Sequence, residues 1–521
     1  MTDTEDIVGV IVLESKKLHG HTKKGLPIYS FIPLSNKHPP RFLVPSNSRE
    51  KRNILAVIRL NRWEGDIPFG TCVRVLGAAD DRIIYDYALL LKNELAFSIQ
   101  PLQPLQSDAG EQQQSMPMPV QVQPEPEPEP KSYNYKNITV IDPAGSTDRD
   151  DGFHITKEDL KGTYLYVHIA DVDRYFPTDT STDLALRNRI TSIYSLNKVY
   201  HMLPEEYACN IISLTSNGKE LRPHYVLTTV FEITEKGPIF KEVHQATVTV
   251  SEKRSFTYEQ AQDMLDLKKD TQIQLLSEIT GLTDTHKMIE KIMIWTNSAI
   301  AEFIYNHGYN FSVYYPPVPD LKIKDSVLTS VFGGPRAIYS TTQHGHGMMG
   351  LKHYTHFTSP IRRYADIVVH RIVKHIISGN ADFNFNLDEC CEKVNRVTQN
   401  AKNYYRNQNM LKLMDKLPKD GNPVITVGCI VQFYKPNYVS VYLKDYNIVL
   451  NTTLFSRELL DIITITEEAS MVNLQLNSNA PENINLNFNT EISVSLVYLP
   501  SEIRLHKKIS VTFPCIRNLF V

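Results

Sequence analysis

The chain has 521 residues but only six cysteines: Cys72, Cys209, Cys390, Cys391, Cys429 and Cys515. There is no Cys-x-x-Cys and only one adjacent pair. That excludes a zinc ribbon or a disulfide-stapled design and points to reduced thiols in an intracellular protein, cytoplasmic or nuclear. No apolar run approaches the ~18 residues of a membrane span. The opening Met1-Thr-Asp-Thr-Glu-Asp6 is acidic where a secretory signal would be basic. Net charge is scarce too: 55 Lys and Arg stand against 58 Asp and Glu, giving −3. This excludes a uniformly basic coat for nucleic acid. It leaves room for a local basic channel, because net charge averages over a surface.

What is present is ordinary globular material, 42% apolar and 22% charged, long enough for a sizeable core and for three or four domains. In residues 1–100, short apolar or alternating segments at 8–12, 30–32, 41–44, 54–60, 72–76 and 83–87 are punctuated by glycines. Roughly five strands in that length suit a small OB-type barrel. Its 14 basic and 11 acidic residues lean slightly towards RNA. Residues 101–132 carry eight prolines, seven glutamines and the run Pro124-Glu-Pro-Glu-Pro-Glu-Pro130, which cannot build a core and reads as an extended linker. Residues 133–418 read as one α+β domain: apolar strands at 138–141, 164–170, 226–233 and 246–250, then helices, one from Ile289 and another opening at Ser359-Pro360. From 419 to 521 the alternation of Val439, Val441 and Leu443 predicts a second small barrel, with a looser Asn-rich insertion at 473–489. Its 7 basic and 8 acidic residues from Gly421 onward favour phosphate less than the first.

The sharpest local feature is Ile141-Asp142-Pro-Ala-Gly-Ser-Thr-Asp148-Arg-Asp150-Asp151-Gly152, four carboxylates within ten residues after an apolar strand. Like charges so crowded cost free energy unless a cation offsets them. Mg²⁺ accepts such oxygens, and two ions about 4 Å apart can activate water and stabilise the leaving oxygen of a phosphodiester. Alone, the run also reads as a solvated acidic turn. A second cluster, His353-Tyr-Thr-His356-Phe-Thr-Ser359-Pro-Ile-Arg362-Arg363-Tyr-Ala-Asp366, ends a loop at a helix N-terminus, a natural phosphate site. There Asp366, four residues on, could hold Arg362 for bidentate contact with phosphate. A surface ion pair is the plain alternative. A third, Arg187-Asn-Arg189-Ile-Thr-Ser192-Ile-Tyr194 with His201-Met-Leu-Pro204-Glu205, interleaves cations with an aromatic ring that can stack on an unpaired base.

Together these motifs resemble the RNase II/RNase R (RNB) family of processive exoribonucleases. Asp-Pro-x-x-x-x-Asp-x-Asp-Asp is similar to its metal-binding signature. Tyr166-Val-His-Ile-Ala-Asp171, Thr191 through Tyr194, Met202-Leu-Pro-Glu205, Ser213-Leu214, and His356 through Asp366 with Val369-His-Arg371 follow in the family's order. The flavour is closest to the catalytic subunit of the eukaryotic exosome, without its PIN endonuclease domain and with one cold-shock barrel in place of two. The resemblance implies an RNB catalytic domain flanked by OB-type barrels, hydrolysing single-stranded RNA 3′ to 5′ to nucleoside 5′-monophosphates. It implies Mg²⁺, one or two ions with Mn²⁺ as substitute, on Asp142, Asp148, Asp150 and Asp151. Asp150, Arg362 and Tyr194 would be catalytic, and Arg189, Tyr194, Ser359, Arg362 and Arg363 would contact RNA. The expected partners are RNA 3′ ends and an RNA-decay assembly, with the chain itself a monomer. A catalytically silent RNA-binding scaffold and an enzyme needing a partner are the alternatives. The chain departs from the family at Asp173-Arg174, where Ser-His is usual, at Val313-Tyr-Tyr315-Pro316, where basic residues are usual, and at Tyr405, where bacterial members carry a glutamate.

Overall fold

A computed structural model describes residues 6–63, 66–96, 133–158, 162–216, 222–314, 337–347, 349–379, 383–435, 437–454, 463–468, 471–476, 484–487 and 490–514. The expected linker, the Tyr315-Pro316 departure and Cys515 lie outside them. The described residues divide into two units: those within Met1–Leu95 and Asn400–Val521 form one, and those within Ala96–Pro317 and Pro335–Gln399 the other.

In the first unit, β1 (Asp6–Ile11), β2 (Ile28–Pro33), β3 (Phe42–Pro45), β4 (Ile54–Arg62) and β5 (Phe69–Ala78) close into a barrel in the order β1-β2-β3-β5-β4. Alternation puts Ile7, Ile11, Phe31, Phe42, Val44, Ile54 and Ile58 inside, each buried side chain contributing about 1.5–3 kcal/mol. Gly9 is required there, since a Cβ would overlap the Phe31 ring and the Ile32 carbonyl. The segment 83–87, expected as a strand, is instead part of helix α1 (Arg82–Lys92). Asp81 caps it, accepting from the N–H groups of Ile83 at 2.8 Å and Ile84 at 3.2 Å. The cap fixes a helical start that the apolar run Ala88-Leu-Leu-Leu91 then continues.

The second unit is built on a five-stranded sheet. Its strands are β6 (Tyr133–Tyr135), β8 (Asp151–Glu158), β9 (Gly162–Ala170), β12 (Pro223–Thr234) and β13 (Gly237–Thr249), in the order β6-β13-β12-β9-β8. Strand β7 (Val140–Asp142) leads into the acidic run, and the hairpin β10 (Ile193–Tyr194) and β11 (Val199–Tyr200) follows helix α2 (Ser181–Arg189). After β14 (Ser255–Thr257) come α3 (Tyr258–Asp266), α4 (Thr271–Thr280) and α5 (Thr285–Asn306). The short pair β15 (Ser312–Tyr314) and β16 (Ile338–Ser340) precedes α6 (Tyr364–Ser378) and α7 (Leu387–Lys416). Strands then helices in one unit make it α+β.

Helix α6 begins later than expected. Its N-cap is Arg363, not Ser359. Asp366 in its first turn accepts from the Ser359 N–H at 2.8 Å, folding residues 359–362 back as a turn over the helix start.

The C-terminal strands β17 (Val424–Lys435), β18 (Tyr438–Leu443), β19 (Ile448–Thr453), β23 (Glu491–Tyr498) and β24 (Ile509–Thr512) form an antiparallel sheet in the order β19-β18-β17-β23-β24. Between them lies a three-stranded meander of β20 (Ile463–Glu468), β21 (Met471–Leu476) and β22 (Ile484–Asn487), whose last two strands run into the 473–489 segment expected to be a loose insertion. Apolar residues alternate along each of these segments, and that period outweighs the asparagines.

Candidate active site

The acidic run joins β7 to β8. Thr139 and Phe153 exchange two backbone hydrogen bonds of 2.8 Å at its base. Gly152 is needed at this closure, because a Cβ would lie 2.7 Å from Ile138 Cδ1 and 3.1 Å from the Thr139 carbonyl. At the tip, Gly145 adopts a left-handed φ of +80° and Ser146 N–H donates to the Pro143 carbonyl at 3.1 Å. A distant segment then holds the returning arm. The Ser213 hydroxyl donates to the Thr147 carbonyl at 2.8 Å and accepts from the Arg149 N–H at 3.0 Å. Leu214 N–H donates to the Arg149 carbonyl, also at 3.0 Å.

The carboxylates gathered here are electrostatically strained. Asp150 is buried, and burial pushes its carboxyl well above the usual range, Arg362 and the Ile361 N–H opposing and Asp151 adding to the rise. Asp142 and Asp151 are likewise pushed up by burial, Asp151 further by its proximity to Asp142. Asp142 Oδ2 is buried with no hydrogen-bond partner. Among the described residues, no three His, Cys, Asp or Glu side chains form a ready-made metal cage. The donors nevertheless fit a hard divalent ion: they are all oxygen, they repel one another, and one buried carboxylate oxygen lacks a partner. Mg²⁺ binds through one or two carboxylates and keeps its waters.

The 359–366 turn meets this cluster. Ile361 N–H donates to Asp150 Oδ1 at 2.7 Å, and Arg362 Nε lies 3.6 Å from Asp150 Oδ2. Arg362 Nη2 donates to Ser359 Oγ at 3.0 Å, leaving the side chain 45% exposed. Asp366 does not hold Arg362, as the i,i+4 spacing predicted. Since Arg362 precedes the helix, Asp366 takes Arg363 at 2.8 Å instead. The Arg362 carbonyl accepts from Ser192 N–H and the Thr191 hydroxyl, both at 3.0 Å. The same short segment carries Tyr194, which is 41% exposed and donates its hydroxyl to Asp148 Oδ2 at 3.1 Å. Burial, with the Asp148 carboxylate adding to it, holds that phenol protonated.

Asp142, Asp148, Asp150, Asp151, Arg362 and Tyr194 thus meet in one place. Of the other residues expected at RNA, Arg189 and Ser359 are buried and Arg363 is partly exposed. Arg189 is buried and donates to the His201 carbonyl at 2.5 Å, bracing the β10–β11 hairpin. Ser359 is buried beneath Arg362, and Arg363 is tied to Asp366. Their basic and polar character serves internal pairing, which sequence spacing does not distinguish from ligand contact.

A buried network supports the whole. Arg371 donates to Asp173 at 2.6 Å, Asp183 at 2.8 Å, the Phe176 carbonyl at 2.9 Å and the Tyr364 hydroxyl at 3.0 Å. Tyr364 in turn donates to Asp183 at 2.8 Å. The Asp173 departure is explained: it completes an ion pair with Arg371 and another with Lys374 at 3.3 Å, while Arg174 lies 3.9 Å over the Tyr225 ring. Sequence reasoning missed Tyr258, at the start of α3, whose phenol is kept protonated by burial and by the nearby Asp151 and Asp142. It belongs to no motif, and only the packing of α3 on β7 reveals it.

Residues 131–282 and 334–379 match the RNB domain family. Ribonuclease R from Chlamydia muridarum is 26% identical over 390 residues, 58% of this chain and 55% of that protein. Ribonuclease R from Thermotoga maritima is 25% identical over 443 residues, 68% of this chain and 60% of its own length. The chain therefore spans little more than half the length of these curated relatives. Among solved structures, Mycoplasma genitalium RNase R in complex with ribose-methylated single-stranded RNA superposes with a TM-score of 0.70 at 17% identity, covering 98% of this chain and 89% of that one. Yeast Ssd1, a pseudonuclease, superposes with a TM-score of 0.66 at 15% identity, covering 98% and 83%. At such identities the likeness is one of fold. By the sequence match, residues 131–282 and 334–379 are similar to the RNB domain, and the fold of the chain is similar to that of ribonuclease R.

Proposed function

We propose that the chain is a divalent-cation-dependent 3′→5′ exoribonuclease that processively hydrolyses single-stranded RNA to nucleoside 5′-monophosphates. The observation that carries this reading is the meeting of Asp150 with Ile361 and Arg362, which sets an exposed guanidinium beside four crowded carboxylates. Asp142, Asp148, Asp150 and Asp151 would hold the cation, Mg²⁺ with Mn²⁺ as substitute. When bound, it would supply an activated water and neutralise charge on the leaving oxygen. Arg362, oriented by Ser359 and Asp150, presents its remaining donors to a phosphate, which a lysine could not grip bidentately. Tyr194 offers its exposed ring to the terminal nucleotide, and contacts to 2′-hydroxyls would select RNA over DNA. The barrel at 1–100 and the sheet at 419–521 would bind RNA and serve the catalytic domain at 133–418, with 101–132 as linker.

Ssd1 favours a second reading, a silent RNA-binding scaffold, because a pseudonuclease shares this fold. The four aspartates and Arg362 weigh against it, since a scaffold gains nothing from buried mutual repulsion. The test is a 3′-labelled single-stranded RNA incubated with Mg²⁺ or EDTA. Labelled mononucleotide from the first time point, and none in EDTA, is the expected result. Internal cuts would remove the exonuclease reading. RNA binding without cleavage would leave the scaffold, or an enzyme that awaits a partner in a decay assembly.

A further inference from the structure

Resting on that reading, we propose that Ser213 is a positioning residue: it presets the acidic turn for the cation by pinning the backbone on both sides of Asp148. Between Ser146 and β8 the chain forms no regular structure of its own. The polar groups on both sides of Asp148 are satisfied from elsewhere. Ser213, 64 residues from Arg149, is wholly buried. Its hydroxyl donates to the carbonyl just before Asp148 and accepts from the N–H just after it. Leu214 N–H extends this short ladder to the Arg149 carbonyl, and Ala170 N–H holds the Asp150 carbonyl at 2.9 Å.

The carboxylates on this turn are crowded. Asp142 Oδ2 is buried with no hydrogen-bond partner, and Asp148 adds to the rise that burial gives Asp142. A site already held in its bound geometry binds its ion more tightly. Tyr194 restrains the Asp148 carboxylate at 3.1 Å from a residue that is 41% exposed. Ser213 is sealed from water, so no solvent molecule replaces its hydroxyl.

The experiment compares wild type, Ser213→Ala, Ser213→Thr and Asp150→Asn in the full chain, using Mn²⁺ alone followed by electron paramagnetic resonance of the free ion. Single-stranded RNA affinity in EDTA and melting temperature without metal are measured in parallel. Ser213→Ala is expected to weaken Mn²⁺ about tenfold or more, with RNA affinity within about twofold and the same cooperative melt. Ser213→Thr, which keeps the hydroxyl, should recover most of the loss. Unchanged Mn²⁺ affinity in Ser213→Ala would overturn the proposal. So would joint loss of Mn²⁺ binding, RNA binding and melting temperature, the mark of a merely structural serine. If wild type and Asp150→Asn bind Mn²⁺ alike, the cation-dependent reading itself falls, a result distinguishable from either.

Discussion

Charge serves opposite purposes in the N-terminal barrel and in the second unit. In the barrel it stays outside: Arg59 pairs with Asp6 at 2.7 Å with side chains 48% and 50% exposed, over a core that is wholly apolar. In the second unit Arg371 pairs with Asp183 at 2.8 Å with side chains 4% and 0% exposed. Burying ions is a poor route to stability, because desolvation cancels much of the attraction. The barrel avoids that cost. The second unit accepts it to hold α2, the segment after β9 and the start of α6 in one geometry, and leaves one cluster of carboxylates uncompensated. Burial pushes Asp173 up, yet Lys374 and Arg371 overcome it and hold the group below its usual value, and Arg363 does the same for Asp366. Asp150, with no such full compensation, goes the other way.

The largest effect should come from the uncompensated charge. Asp150→Asn should reduce turnover by about a thousandfold or more while leaving metal-free melting temperature equal or higher, because a repelled buried charge is gone. A lower melting temperature would mean that Asp150 is structural, like the charges of the network. Next, Arg371→Ala should destabilise the second unit by about 3–5 kcal/mol, since it strands Asp173 and Asp183 in the interior. Denaturant unfolding checks this, and a loss below about 1 kcal/mol would erase the contrast with the barrel.

A pH titration sharpens the contrast further. Burial lowers His154 to about 4, His356 to about 3 and His168 well below its usual value. Above the unfolded value near 6.5 these imidazoles are neutral in both states. As pH falls below 6.5 the unfolded chain binds protons first, so stability is lost from about 6.5 downward, by about 1–2 kcal/mol per histidine at pH 5. Melting followed from pH 7 to 5 should show the decline, and a flat profile would contradict it. The smallest effect is expected from Arg59→Ala, about 1 kcal/mol or less, which disappears at high salt.

Much of this was legible in the residues alone. The barrel strands follow from alternation between glycines, and the four aspartates, Arg362 and Tyr194 follow from ordered motifs. The misreadings share one cause. Segment 83–87 is apolar enough for strand or helix, and only the Asp81 cap chooses between them. Ser359-Pro360 has the pattern of a helix start, but Asp366 draws the Ser359 N–H back across the first turn. Arg362 and Arg363 are adjacent and identical, and the resemblance implies RNA contact for both; in the structure Arg362 is 45% exposed and Arg363 pairs with Asp366.

By itself, then, the sequence determined most kinds of element, the α+β class and which residues are candidates for the chemistry, because periodicity and motif order are local properties of the chain. Tertiary structure alone decided which like residues become contacts and which become supports. Ser213 reaches the acidic turn across 64 positions, Arg371 reaches Asp183 across 188, and Ile361 reaches Asp150 across 211. No local pattern encodes such pairings. They are selected when burial removes water and each polar group must find its partner in the protein.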